Sequence, residues 1–154
     1  MIMNEFTYYC LASVQDGTGE NLWAWTGNIE KARRRPLDDT RAWLLEVVER
    51  LLDLDLVCVG DYEDGGSGRA GWETWTGDTR AVVDRVASIY TVDLEPDEVQ
   101  YWACYLMRTA NGMRLYEQER SRREAVGEDT IPRLRTVWDA DGNVVEPHGD
   151  EIVV

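Results

Sequence analysis

The chain has 154 residues with 30 acidic against 16 basic side chains, a net charge of −14, and a single histidine, His148, so a His-based triad or a multi-histidine metal site is excluded by counting. A chain of this length suits one domain that removes about 68–70% of its unfolded surface from water, enough for a core without staples. Its three cysteines, Cys10, Cys58 and Cys104, stand far apart inside apolar runs, as expected of buried thiols in a reducing, cytoplasmic setting, and neither a basic-then-apolar start nor eighteen consecutive apolar residues points to export or a membrane.

In chain order, Phe6 to Val14 is rich in aromatic and β-favouring residues, QDGTGEN reads as a turn, and LWAWT resumes the pattern. This predicts a hairpin. The following IEKARRRPLDD holds Lys31, Arg33, Arg34 and Arg35, the only dense basic cluster before residue 108, in a loop or a short helix ending near Arg35, because Pro36 cannot sit inside a helix. From Asp39, the apolar residues Leu44, Val47, Val48, Leu51 and Leu52 recur at helical spacing with Arg41, Glu46, Glu49, Arg50 and Asp53 opposite, the clearest helix in the chain. Leu56 to Tyr62 and Trp72 to Thr76 read as strands around a glycine-rich loop, GDYEDGGSGRAG. Asp78 and Thr79 then precede a second amphipathic helix carrying Val82, Val83, Val86 and Tyr90.

The tetrapeptide DTRA opens both helical segments, at 39–42 and 78–81, and WTG occurs at 25–27 and 75–77. The WTG spacing differs from the DTRA spacing, and nothing after DTRA is shared in detail, so two acid-capped helices explain the likeness better than a repeat. Val99 to Met107 is apolar on both strand faces, which predicts a central or doubly covered strand. Thr109 caps a helix with Met113, Leu115 and Tyr116 that runs on into charged residues. Asp141-Gly142 between Val137-Trp138 and Val144-Val145 is a strong hairpin signal, and the last residues are expected to fray. The fold class that follows is α+β: a single compact domain over residues 1–135, with an antiparallel sheet and two to four helices, followed by an acidic hairpin and tail over 136–154.

The helix ending in LLDLDLVCVGDYE, the glycine-rich loop and the later YLMRTANGMRLYE resemble the winged-helix proteins over residues 38–120, where a strand-to-helix pattern Y-x-L-T-x-x-G-x-x-L is met by Tyr105, Leu106, Thr109, Gly112 and Leu115 with one extra residue before Thr109. Similar layouts occur in small actinobacterial proteins of unassigned role. The resemblance implies a winged-helix-like centre with the hairpin as wing, and DNA binding through a recognition helix. The helix from 39 to 52 sets Arg41 and Arg50 against Glu46, Glu49 and Asp53, with Asp55 just beyond, so it lacks the excess of bases that phosphate contacts need. Arg108, Arg114, Arg120, Arg122 and Arg123, with the KARRR run, are the bases left for a footprint, and as solvated surface and helix C-terminal charges they need none.

Other chemistry falls away on inspection. The glycine-rich loop has no lysine and is no Walker loop. Asp139, Asp141 and Asn143 start like a calcium loop, yet Val144 stands where that loop needs glycine and Asp150 where it needs glutamate, so a plain hairpin is expected. Asp93, Glu95, Asp97 and Glu98 could act as acid and base only if the fold buried one of them.

Charge is uneven. Residues 36–107 hold sixteen acids against five bases, a net of −11, whereas residues 108–135 are +2. Such a field keeps a chain soluble, repels phosphate backbones and attracts basic partners. Of the seven tryptophans, Trp23, Trp25, Trp72, Trp75 and Trp102 fall on expected strands, Trp43 on the first long helix and Trp138 in the last hairpin. Trp72 and Trp75 cannot both face one side of a regular strand. One of them, with Glu73 and the acidic residues Asp61, Glu63 and Asp64, is the expected recognition patch. The expectation is therefore a non-enzymatic, cofactor-free protein that binds a basic protein surface, as an inhibitor of immunity or antitoxin type does, with a winged-helix DNA-binding regulator as the alternative. The sequence sets no oligomeric state.

Overall fold

A computed structural model describes residues 3–14, 20–25, 37–90, 104–132, 137–145 and 151–154. The described elements, in order, are α1 (Glu5–Ser13), β1 (Glu20–Asn21), α2 (Leu37–Asp53), β2 (Val57–Tyr62), β3 (Trp72–Thr74), α3 (Thr79–Ile89), β4 (Tyr105–Arg108), α4 (Ala110–Val126), β5 (Val137–Trp138) and β6 (Val144–Val145). The architecture is α+β. Four strands form an antiparallel sheet in the order β1-β4-β2-β3, and β5 pairs with β6 in a separate ribbon.

Side chains alternate across β2 and β4, with Val59 opposite Leu106 and Gly60 opposite Tyr105. Val57, Val59 and Leu106 enter the main core beside Leu44, Val48 and Leu51 of α2, Val82 and Val86 of α3, and Phe6, Cys10 and Leu11 of α1. The interior position expected for the strand ending at Met107 is borne out where it is described, since β4 lies between β1 and β2; residues 99–103 lie outside the described set. The 137–145 hairpin also forms, with Val137 opposite Val145 and Gly142 at φ 81.

The first expected hairpin does not exist. Phe6 to Ser13 is helical, started by Asn4, whose side chain accepts from the Thr7 N–H. Residues 22–25 are helical as well, so Trp23 and Trp25 lie on a helical turn instead of a strand. Phe6, Thr7, Tyr8, Cys10 and Leu11 are all buried, and burial around most of the α1 cylinder outweighs the modest β preference of aromatic residues. Of the segment 26–36, including the basic cluster, nothing is described.

The two DTRA copies are not equivalent. Asp78 caps α3, accepting from the Ala81 N–H at 2.8 Å. Helix α2 begins at Leu37, before its DTRA, so Asp39 lies within the helix and not at its cap position. At the other end of α2, Asp55 adopts φ 53 while Leu56 N–H reaches Leu51 O and Asp55 N–H reaches Leu52 O, the two-bond closure in which a left-handed residue ends a helix. That turn docks on the start of α4: Thr109 donates its backbone N–H to Leu56 O and its hydroxyl to Asp55 O, and Asn111 Nδ2 donates to Leu54 O. Gly112 permits the approach, since a Cβ there would lie 1.9 Å from Leu56 O.

The chain's last residues do not fray. Ile152 is buried in the core, Val153 donates its N–H to Thr7 Oγ1 at 2.8 Å, and Asn4 Nδ2 donates to Glu151 O at 2.7 Å. The polar groups at the start of α1 thus hold the terminal segment, and an apolar anchor adds burial.

Candidate functional site

The β2–β3 hairpin places the six residues singled out in the sequence at different depths. Gly60 opens the arrangement: a Cβ on it would meet the Trp72 ring at 2.7 Å and Glu73 O at 2.3 Å, so its absence lets Trp72 lie across β2. The ring meets Tyr62 edge-on at 5.2 Å, and Tyr62 meets Tyr105 edge-on at 5.0 Å. Trp72 Nε1 donates to Thr74 Oγ1 at 2.7 Å. Trp72 remains half-buried on the sheet face away from the main core, while Glu73 and Thr74 are exposed.

Trp75 goes the other way and is buried. Its indole Nε1 donates to Asp61 Oδ2 at 2.7 Å, and the Arg85 guanidinium of α3 lies 3.8 Å over its ring and 3.5 Å from the same Asp61 oxygen. Partial burial pushes the Asp61 carboxyl above the usual carboxylate range, with the Trp75 hydrogen bond and Arg85 pulling back and Glu73 pushing further. Asp61 Oδ1 is buried with no hydrogen-bond partner among the described residues, a cost consistent with that direction.

Asp64 organises its own loop. Its carboxylate accepts from the N–H groups of Gly66, Gly68 and Ala70, and hydrogen bonds from that backbone hold it below the usual carboxylate range despite the opposing desolvation. The loop folds back over the sheet, where Tyr105 Oη donates to Gly65 O at 3.1 Å. Glu63 is exposed at the loop's start. Among the described residues, Glu63 and Glu73 have no basic partner, and no strand pairs with the outer side of β3. Because Glu63 N–H reaches Gly71 O and Trp75 N–H reaches Val59 O, with Glu73 opposite Asp61, the backbone groups of Trp72 and Thr74 face away from β2. The hairpin therefore offers an edge strand, a half-exposed indole and uncompensated carboxylates side by side.

The arginines of α4 are used internally. Arg123 is buried, lies 4.0 Å over the Tyr8 ring, and pairs with Glu119 at 3.0 Å and Glu5 at 2.7 Å. Arg122 bridges Glu119 at 2.8 Å and Glu128 at 2.7 Å. Arg108 is buried 4.4 Å over the Tyr116 ring, and Tyr116 stacks on Tyr8 at 5.4 Å. Hydrogen bonds from Arg122 first, then Arg123, hold the Glu119 carboxyl low although burial opposes them. Burial pushes the Tyr8 hydroxyl up to about 12, with neighbouring Tyr116 adding to the effect. Arg114 bonds Asn111 at 2.8 Å, and Arg120 pairs with Glu124 at 3.2 Å. The pairs Arg114–Asn111, Arg120–Glu124, Arg122–Glu119 and Arg123–Glu119 are readable as three- and four-residue spacings in the sequence, and the others are not.

Cys10 and Cys104 are buried and Cys58 half-buried, all as free thiols. Burial pushes the Cys58 and Cys104 thiols up, away from the thiolate a nucleophile requires. Asp139 turns its carboxylate onto the N–H groups of Asp141 and Asn143 and the Asn143 amide, which is how a tight turn satisfies itself. No group of three or more metal-ligating side chains occurs among the described residues. Asp93, Glu95, Asp97, Glu98, Trp102 and His148 lie outside the described set.

A cleft of about 380 Å³ opens between α1, α4 and the segment 130–132, walled by Tyr9, Ser13, Tyr116, Arg120, Thr130 and Ile131. Among the described residues no helix is long and apolar enough to cross a membrane. None of the family models, curated proteins or solved structures compared with the chain matches it.

Proposed function

We propose that this chain is a non-enzymatic cytoplasmic protein that binds a basic surface of another protein through its β2–β3 hairpin, in the manner of an inhibitor of immunity or antitoxin type. The observation that carries the reading is a contrast in compensation. Arg120, Arg122 and Arg123 of α4 meet carboxylates of their own surroundings, whereas Glu63 and Glu73 face solvent with no basic partner among the described residues. Beside them stand the half-exposed Trp72 and the open edge of β3. An arginine or lysine of a partner can lie against the indole and reach a carboxylate, and an extended segment can add main-chain hydrogen bonds along the edge. Burial, which raises the Cys58 and Cys104 thiols, leaves these two poor nucleophiles.

DNA binding by a winged-helix-like centre fits less well. Of the five arginines at 108–123, Arg108 and Arg123 are buried against tyrosines and Arg122 is held between two glutamates, which leaves few for phosphates.

The test is capture of a partner from source cells, followed by calorimetric titration of the purified pair at low and high salt. The reading expects a basic partner whose affinity falls with added salt and with Glu63→Gln/Glu73→Gln. A partner with an acidic surface, or binding indifferent to salt and to both substitutions, rejects it. Duplex DNA retarded at low salt in a gel-shift would favour the regulator instead.

A further inference from the structure

We propose that the cleft between α1, α4 and residues 130–132 is a binding site for a small planar aromatic carboxylate. Its volume, about 380 Å³, falls within the range of small-molecule sites, which combine apolar and aromatic walls with a few convergent polar groups. Tyr9 and Tyr116 supply the aromatic walls, Ile131 the apolar lip, and Arg120 the cation. Ile131 is 63% exposed, so a ring seated against it removes apolar surface from water.

The wall opposite α1 is held before any ligand arrives. Tyr8 Oη donates to Thr130 O at 2.8 Å, and Ile131 N–H donates to Asp129 Oδ1 at 2.9 Å. Arg123 Nη1 donates to Asp129 O at 3.4 Å, and Arg122 fastens Glu128 at 2.7 Å. A ligand therefore orders little protein on binding. Arg122 and Arg123 thus help fix the wall.

Arg120 is held differently. Its partner is Glu124, one turn away, and both side chains are 55% exposed, so water screens the pair. A carboxylate brought in on an aromatic ring competes with Glu124 for that guanidinium through a two-point hydrogen bond.

Ser13 lines the cleft and its Oγ accepts from Trp25 Nε1 at 2.8 Å, so the Trp25 indole N–H resonance reports on occupancy. The experiment titrates 2-naphthoate, with 2-naphthamide as its neutral isostere, into ¹⁵N-labelled protein. The expected result is a shift of the Trp25 indole resonance that saturates with naphthoate at lower concentration than with naphthamide. Arg120→Gln weakens naphthoate on the order of 10-fold and naphthamide little. Glu124→Gln, which frees Arg120, tightens naphthoate, and Ala12→Leu, which adds bulk at another residue lining the cleft, abolishes both shifts while the remaining spectrum shows the fold intact. Equal binding of the two compounds with no effect of Arg120→Gln overturns the proposal, as does an unperturbed Trp25 resonance at millimolar naphthoate. It stands or falls separately from the protein-partner reading, because none of these residues belongs to the β2–β3 hairpin.

Discussion

Trp75 donates its indole N–H to Asp61 across 2.7 Å, and the same carboxylate oxygen faces Arg85 of α3. Burial raises the Asp61 pKa above its ordinary value of 3.8. The folded state then holds the proton to a higher pH than the unfolded state, so this group's contribution to stability falls as pH rises from about the unfolded value through the folded one, and is flat beyond it. Asp61→Asn keeps an acceptor for the indole and removes that slope, with little loss of stability at neutral pH. Asp61→Ala strands a buried indole N–H and costs about 1–2 kcal/mol. Urea unfolding of the three proteins as a function of pH checks both statements.

Glu119 runs with the opposite sign. Its carboxyl is held low by Arg122 and Arg123, so the stability it supplies is complete above the ordinary glutamate value of 4.5 and drains away as pH falls through the depressed folded value. Glu119→Gln leaves Arg123 with Glu5 as its one carboxylate among the described residues and is expected to cost on the order of 3 kcal/mol at neutral pH. The cost shrinks in acid. Thermal unfolding of the variant across the acid limb should therefore converge on that of the parent.

Gly112 tests the joint between α2 and α4. Alanine is the better helix former by about 1 kcal/mol, and on an unobstructed helix it would stabilise. Here its Cβ would lie 1.9 Å from the Leu56 carbonyl oxygen, so Gly112→Ala is expected to destabilise by about 3 kcal/mol as backbone must shift. A gain in denaturation midpoint would show that the two helix ends do not meet as described.

Gly65 and Gly66 both adopt positive φ, 65 and 87, yet only at Gly66 would a Cβ meet an obstacle, the Tyr105 hydroxyl at 1.9 Å. Gly65→Ala should cost about 1 kcal/mol from backbone strain alone. Gly66→Ala should cost more, and the excess should shrink by about 1 kcal/mol or more in a Tyr105→Phe background. A double-mutant cycle by chemical unfolding measures this coupling.

Much of the fold was legible, and the failures have physical causes. Helices α2 and α3 carry a strong apolar stripe, and α3 and α4 begin at Asp78 and Thr109, which accept backbone N–H groups as their residue types predict. Gly142 likewise marked its turn. Helix α1 was missed because it has little apolar contrast around its circumference, being buried on most sides, so no 3.6-residue rhythm stands out in FTYYCLASV. Asn4 followed by Glu5 was the available signal: a cap and a first-turn acid. At the hairpin the sequence could state that Trp72 and Trp75 point oppositely, but not which is buried; Gly60 and Asp61, on the neighbouring strand, decide that. The cleft was invisible because it joins Ser13, Tyr116 and Ile131, distant in sequence, and one of its walls is the misread α1.

The docking of residues 151–153 onto Asn4 and Thr7 spans 146 to 147 positions of chain. During synthesis α1 emerges well over a hundred positions ahead of residues 151–153 and waits for these contacts, and Tyr8 waits for Thr130 in the same way. Loops that long close slowly relative to the local pairing of β2 with β3. The nascent chain thus passes through an interval in which the apolar faces of α1 lack their final cover, and a chaperone would find its binding site there.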